Sequence, residues 1–168
     1  MLGKVIELIV FLALVILVRI LTKNIRPEIE YDERQTEIIA KGYKYGFYTA
    51  VFGNLIGFGV LDSSGNLPLC GDFIMICIMF TALSVFVVYS ILRGAYFGID
   101  NRWKIDSVLM IGLGAVLEIG AISYFLKNGL TDGKIGFEYM GIPSGIFLVL
   151  SGIVAIIAGL RSSREDAE

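Results

Sequence analysis

The chain has 168 residues, 56% hydrophobic and 18% charged, and a mean hydropathy of +0.78. Soluble domains carry about 25% charged residues and fewer apolar ones, so the composition excludes a disordered chain and argues against a soluble domain. The net charge of -2 leaves no basic footprint for nucleic acid, and the absence of histidine removes His-dependent triads, His-ligated haem and most zinc catalysis.

A bilayer core about 30 Å thick requires ~20 mainly apolar residues per helix. Five runs approach that length: residues 5–21, 45–61, 73–92, 107–126 and 146–160. The first has Lys4 ahead of it, as a signal peptide would, but no small-x-small cleavage site follows, so it is read as a membrane helix. The expected fold is therefore an all-α integral membrane bundle in one domain, with five transmembrane helices, or four if the first run is not a span.

Lysine and arginine near helix ends favour the cytoplasmic side. Eleven of the 14 basic residues fall in the connections between runs one and two and between three and four, at the inner edge of run one (Arg19), or after run five. That places the amino terminus outside and the carboxyl terminus in the cytoplasm. Without the first span the other four keep their orientation and the amino terminus moves inside.

The connection at 23–44 mixes acidic and basic residues. Pro27 breaks any helix there. Asp32 and Gln35 have the spacing of a capping box, so a helix over 33–61 is expected, about 43 Å long and longer than the hydrocarbon is thick. Arg34, Glu37, Lys41 and Lys44 then share one face, with Glu37 and Lys41 in the favourable order for an ion pair. Ile38, Ile39, Gly42 and Tyr43 take the other face. The charged face reads either as a solvated helix end or as a docking surface.

In the connection at 93–106, Gly98 is expected to end one helix and Asp106 to cap the next, with Tyr96, Phe97 and Trp103 at the membrane interface. Asp32, Glu33 and Glu37 should form an ion pair with Arg93, Arg102 or Lys104 at the same membrane face. Together with Arg34 and Lys41 these residues make the candidate cytoplasmic interaction face. On the other side, 62–72 is a tight polar turn and 127–143 a glycine-rich loop.

DERQ at 32–35, IIAKGYKYGFYT at 38–49 and AYFGID at 95–100 resemble an uncharacterised family of small multi-pass membrane proteins from Gram-positive bacteria. The resemblance covers about 70 residues. It implies a bacterial plasma membrane and supplies no catalytic residue.

Glu118 is the ionisable residue most central to a run, and Asn54, Thr81, Ser84 and Ser151 lie near the middle of theirs. An ionisable group at that depth is a functional hypothesis by default. The five are expected to form one midplane polar layer, with Glu118 turned inward and neutral. It reads either as a structural hydrogen-bonding group or as a proton or cation site. Gly42, Gly46, Gly53 and Gly57, and Ser151, Ala155 and Gly159, have the spacing of close helix contacts, which could close the fold or build a homodimer or a contact with a membrane partner protein. Cys70 and Cys77 have neither metal nor redox spacing; Cys77 should be buried.

The expected function is that of a non-enzymatic membrane protein, a regulatory, sensing or accessory subunit acting through its cytoplasmic face, with the lipid bilayer as its surroundings, no cofactor, no metal and no nucleic acid. The alternative is a small transporter or channel using Glu118.

Overall fold

The computed structural model describes residues 31–63, 68–97, 103–130 and 134–165. By its contacts the chain divides into residues 1–30 and 31–168, so the expected first span at 5–21 lies outside the described residues. The described residues form four long helices: α1 (Glu33–Ser63), α2 (Gly71–Leu92), α3 (Trp103–Asn128) and α4 (Gly141–Glu165). Each outruns its apolar run, because caps and interfacial residues add turns at the ends.

α1 starts where the capping box places it. The Gln35 backbone N–H donates to Asp32 Oδ1 at 2.6 Å, and the Asp32 N–H donates back to Gln35 Oε1 at 3.3 Å. Two backbone donors that the first turn would leave without partners are thereby satisfied. α1 runs 31 residues, about 46 Å.

α2 ends earlier than expected. Gly94 ends it in the left-handed conformation, with φ +71°. Its N–H donates to Ile91 O and the Ala95 N–H donates to Ser90 O, each at 2.9 Å, which completes a Schellman motif. Glycine suits the position because a side chain is strained at positive φ. Gly98 lies outside the described residues. α3 begins at Trp103, so Asp106 sits inside its first turn instead of capping it; an acid there still opposes the helix dipole favourably. Gly129, at φ +66°, closes α3, its N–H donating to Phe125 O at 2.8 Å.

The helices pack in the order α1, α2, α4, α3, with α1 and α3 as outer members. Glycine sets the two closest seams. Added Cβ atoms at Gly42 and Gly46 would meet Phe86, and at Gly53 and Gly57 would meet Ile78, so all four glycines face α2 in antiparallel register. On α4, Gly141, Gly145, Gly152 and Gly159 face Leu117, Glu118, Ile111 and Trp103 of α3. Ser151 and Ala155 are fully buried. The small residues thus pack within the chain. Val87, Ile91 and Ala155 form a core flanked by Phe86, Tyr96, Phe97 and Phe147.

At the far end of the bundle, the Ile135 N–H donates to Pro68 O at 2.9 Å and the Cys70 N–H to Ile135 O at 2.8 Å, tying the two expected outer loops together. Tyr139, 1% exposed, donates its hydroxyl to Gly129 O and packs edge-on to Tyr124 and Phe125. Both cysteines are free, and Cys77 is half-buried instead of buried.

The outward surface is apolar: Phe58 is 75% and Leu126 77% exposed. Water-soluble monomers avoid continuous surfaces of this kind. Among the described residues three stretches, Gly71–Leu92, Trp103–Asn128 and Phe137–Ser163, are long and apolar enough to cross a membrane. The fold is all-helical with candidate membrane-spanning helices, as expected.

Candidate functional site

Two regions carry the expected chemistry. The first is the end of the bundle where α1 and α3 begin and α2 ends. Gln35 Nε2 donates to the Gly94 carbonyl at 3.2 Å, and the Tyr31 hydroxyl to the Tyr96 carbonyl at 3.5 Å. These neutral bonds pin the foot of α1 to the turn after α2. Among the described residues no ion pair joins Asp32, Glu33 or Glu37 to Arg93 or Lys104; the third expected partner, Arg102, lies outside them. Asp32 is occupied as the helix cap, and Glu37 is held by Lys41 at 2.7 Å on its own helix. A local partner one turn away needs less ordering of long side chains than one across a turn.

Lys41 lowers the Glu37 carboxyl pKa, through the hydrogen bond first and charge second. Glu37 raises Lys41 in the same order, and the phenols of Tyr89 and Tyr45 raise it further. Burial, followed by the charges of Tyr31, Asp106 and Tyr43, pushes the Tyr96 phenol up.

Three cations lie near aromatic faces at this end: Lys44 is 5.9 Å from the Tyr48 ring centre, Arg93 5.8 Å from Tyr89 and Lys104 5.6 Å from Trp103. The sequence reading missed these pairs; the i,i+4 spacing of Lys44 and Tyr48 and of Tyr89 and Arg93 was the available signal. Trp103 is 7% exposed, with Gly159 of α4 against its ring, and Tyr96 and Phe97 pack on the core. These three rings turn inward because the glycine on α4 and the short turn after α2 leave room for them.

The second region is the expected polar layer. Asn54 donates to Ala50 O at 2.7 Å, Thr81 to Cys77 O at 2.7 Å and Ser84 to Phe80 O at 2.8 Å, each within its own helix. The Ser151 hydroxyl is buried without a hydrogen-bond partner among the described residues. Glu118, half-buried, packs against Gly145 of α4, and none of the other four residues hydrogen-bonds to it. Asn54 and Glu118 lie on the outer helices of the row, with α2 and α4 between. No hydrogen bond therefore joins any two of the five residues. A backbone carbonyl four residues back satisfies a hydroxyl or amide without help from another helix, and antiparallel pairing sent α1 and α3 to opposite sides.

Comparison with family models, with curated proteins and with solved structures gives no match.

Proposed function

We propose that the protein is a non-enzymatic multi-pass membrane protein of the bacterial plasma membrane, a regulatory, sensing or accessory subunit that acts through its cytoplasmic face. The observation that carries this is the foot of α1. Neutral groups, Gln35 and Tyr31, fix it to the turn after α2, while Glu33, Arg34, Glu37 and Lys41 stay exposed. A rigid helix end with outward charge supplies orientation and specificity to a partner. α1 counts as a span in this reading. It lies antiparallel to α2 from Gly42 to Gly57, and from Lys44 to Ser63 it extends about 29 Å, the thickness of the hydrocarbon.

The test uses cysteine substitutions at Arg34 and Glu37 and a membrane-impermeant maleimide. Both sites should label only in inside-out vesicles, and more slowly there than in the purified protein, because a partner shields them. Labelling from outside intact cells, or equal rates in vesicles and purified protein, overturns the reading.

Glu118 supports a second reading, a small transporter or channel. Its carboxyl sits half-buried at the α3–α4 seam and has no hydrogen-bond donor among the described residues. Proton or cation flux in liposomes that disappears with Glu118→Gln would establish it over the first.

A further inference from the structure

The side of the α1–α2 seam that carries Tyr45 and Tyr89 combines two features, of which the proposed function uses only Lys41. At the foot of the bundle, the Tyr45 and Tyr89 rings meet edge-on, with centres 5.0 Å apart. Arg93 lies 5.8 Å from the Tyr89 ring centre, and Lys41 stands one helical turn before Tyr45, on the same face of α1. Neither phenol has a hydrogen-bond partner among the described residues, and Arg93 pairs with none of the carboxylates Asp32, Glu33 and Glu37. Glu37 holds Lys41 but lies a further turn towards the amino-terminal end of the helix. Two cations and two phenols thus share this side of the foot of the α1–α2 pair.

Below them, on the same side of the seam, an apolar groove of about 420 Å³ is lined by Thr49, Gly53, Ile56, Cys77, Ile78 and Thr81 among others. Thr49 is one turn from Tyr45, and the Thr49 hydroxyl donates to the Tyr45 carbonyl at 2.9 Å. Thr81 and Cys77 lie about 12 and 18 Å from Tyr89 along α2. An acyl chain from one leaflet penetrates about half of the ~30 Å core, which brings it to this part of the groove. The glycines make the groove: Gly53 and Gly57 remove side chains that would fill the seam beside Ile78.

We propose that this side of the α1–α2 seam binds an anionic phospholipid, its phosphate held by Lys41, Arg93, Tyr45 and Tyr89 and one acyl chain in the groove below. The charge of the four-residue cluster selects the headgroup, since arginine and lysine recognise phosphate by charge-assisted hydrogen bonds. The inference rests on the reading of α1 and α2 as membrane-crossing helices.

The experiment is native mass spectrometry of the full chain purified in detergent, with phosphatidylglycerol and phosphatidylcholine offered in equal amounts. Phosphatidylglycerol should be retained several-fold over phosphatidylcholine. Lys41→Gln and Arg93→Gln should each reduce its retention about fivefold, the equivalent of ~1 kcal/mol for a cation at an anionic surface, and reduce retention of zwitterionic phosphatidylcholine by less. Lys104→Gln, which removes the same charge from α3, should have no effect. Excess inorganic phosphate, matched for ionic strength, should not displace the lipid. Equal retention of the two lipids, an equal loss with Lys104→Gln, or displacement by phosphate overturns the proposal. Alkaline carbonate extraction separates the two levels: release from the membrane defeats the membrane reading itself, whereas retention with unselective lipid binding defeats the lipid site alone.

Discussion

Gln35 and Gly94 are 59 residues apart in sequence, yet the Gln35 side-chain amide donates to the Gly94 carbonyl at 3.2 Å. The same amide group accepts from the Asp32 N–H through its oxygen. One side chain therefore caps α1 and docks it on the turn that ends α2. Gly94 takes part because its left-handed conformation turns the chain back beside the foot of α1.

Gln35→Glu separates those two functions. A carboxylate still accepts from Asp32 but has nothing to donate to Gly94. Helix content should stay unchanged, while amide exchange at 93–97 should accelerate. Asp32→Ala removes the cap and should destabilise the foot of α1 by about 1 kcal/mol, read as faster exchange at 33–37. Unchanged exchange in both variants would show that neither bond holds in the membrane.

The glycine seams predict opposite outcomes for one substitution. A Cβ at Gly145 would lie 3.0 Å from the Gly114 carbonyl and against the Glu118 side chain, so Gly145→Ala should destabilise the bundle by about 1–3 kcal/mol. At Gly59 nothing lies within 4 Å, and Gly59→Ala should be neutral or stabilise by up to about 1 kcal/mol. Unfolding in mixed micelles measures both. Equal effects at the two sites would argue against the α3–α4 packing.

Glu118→Gln should leave stability nearly unchanged, because no described donor or salt-bridge partner is lost. Glu118→Phe should destabilise strongly, since the Gly145 notch and the Gly114 carbonyl leave no space for a ring. The unfolding midpoint decides this. Marked destabilisation by the amide alone would mean that the carboxylate has a charge partner.

The Glu37–Lys41 pair predicts a pH window. Glu37 is depressed below 4.5, so its contribution is present above that value and is lost as the pH falls through the lowered pKa. Lys41 is raised above 10.5, so its contribution is present below that value and is lost as the pH rises through the elevated pKa. Between those limits the pair should add no pH dependence. Carbon-13 titration should place the Glu37 midpoint below 4.5, and Lys41→Gln should return it to the ordinary value. Both groups are exposed, so added salt should weaken the effect.

How much of this was legible in the sequence follows the range of each interaction. The capping box at Asp32 and Gln35, the ion pair at Glu37 and Lys41, the length of α1 and the packing glycines are local. Residues three or four apart meet on any helix, and long apolar runs leave few alternatives to helix in a membrane. Which glycine ends α2 was also a local choice, decided for Gly94 over Gly98 by where the last turn could close its carbonyls.

What the chain could not disclose is lateral order. Asn54, Thr81, Ser84, Ser151 and Glu118 sit near the middle of their runs, and depth alone suggested one layer. The tertiary structure distributes them over four helices by packing α1 on α2, α4 on α2, and α3 on the far side of α4, and no hydrogen bond joins one to another. That order depends on which small-residue stripe meets which side chain: Gly42 and Gly46 against Phe86, Gly145 against Glu118, Gly159 against Trp103. Lipid supplies no hydrophobic drive between helices, so close steric fit selects the neighbours. Steric fit between distant segments has no periodicity to read. The sequence determined that the protein is helical, apolar on its surface and charged at one end; complementarity of shape determined which polar groups share a seam.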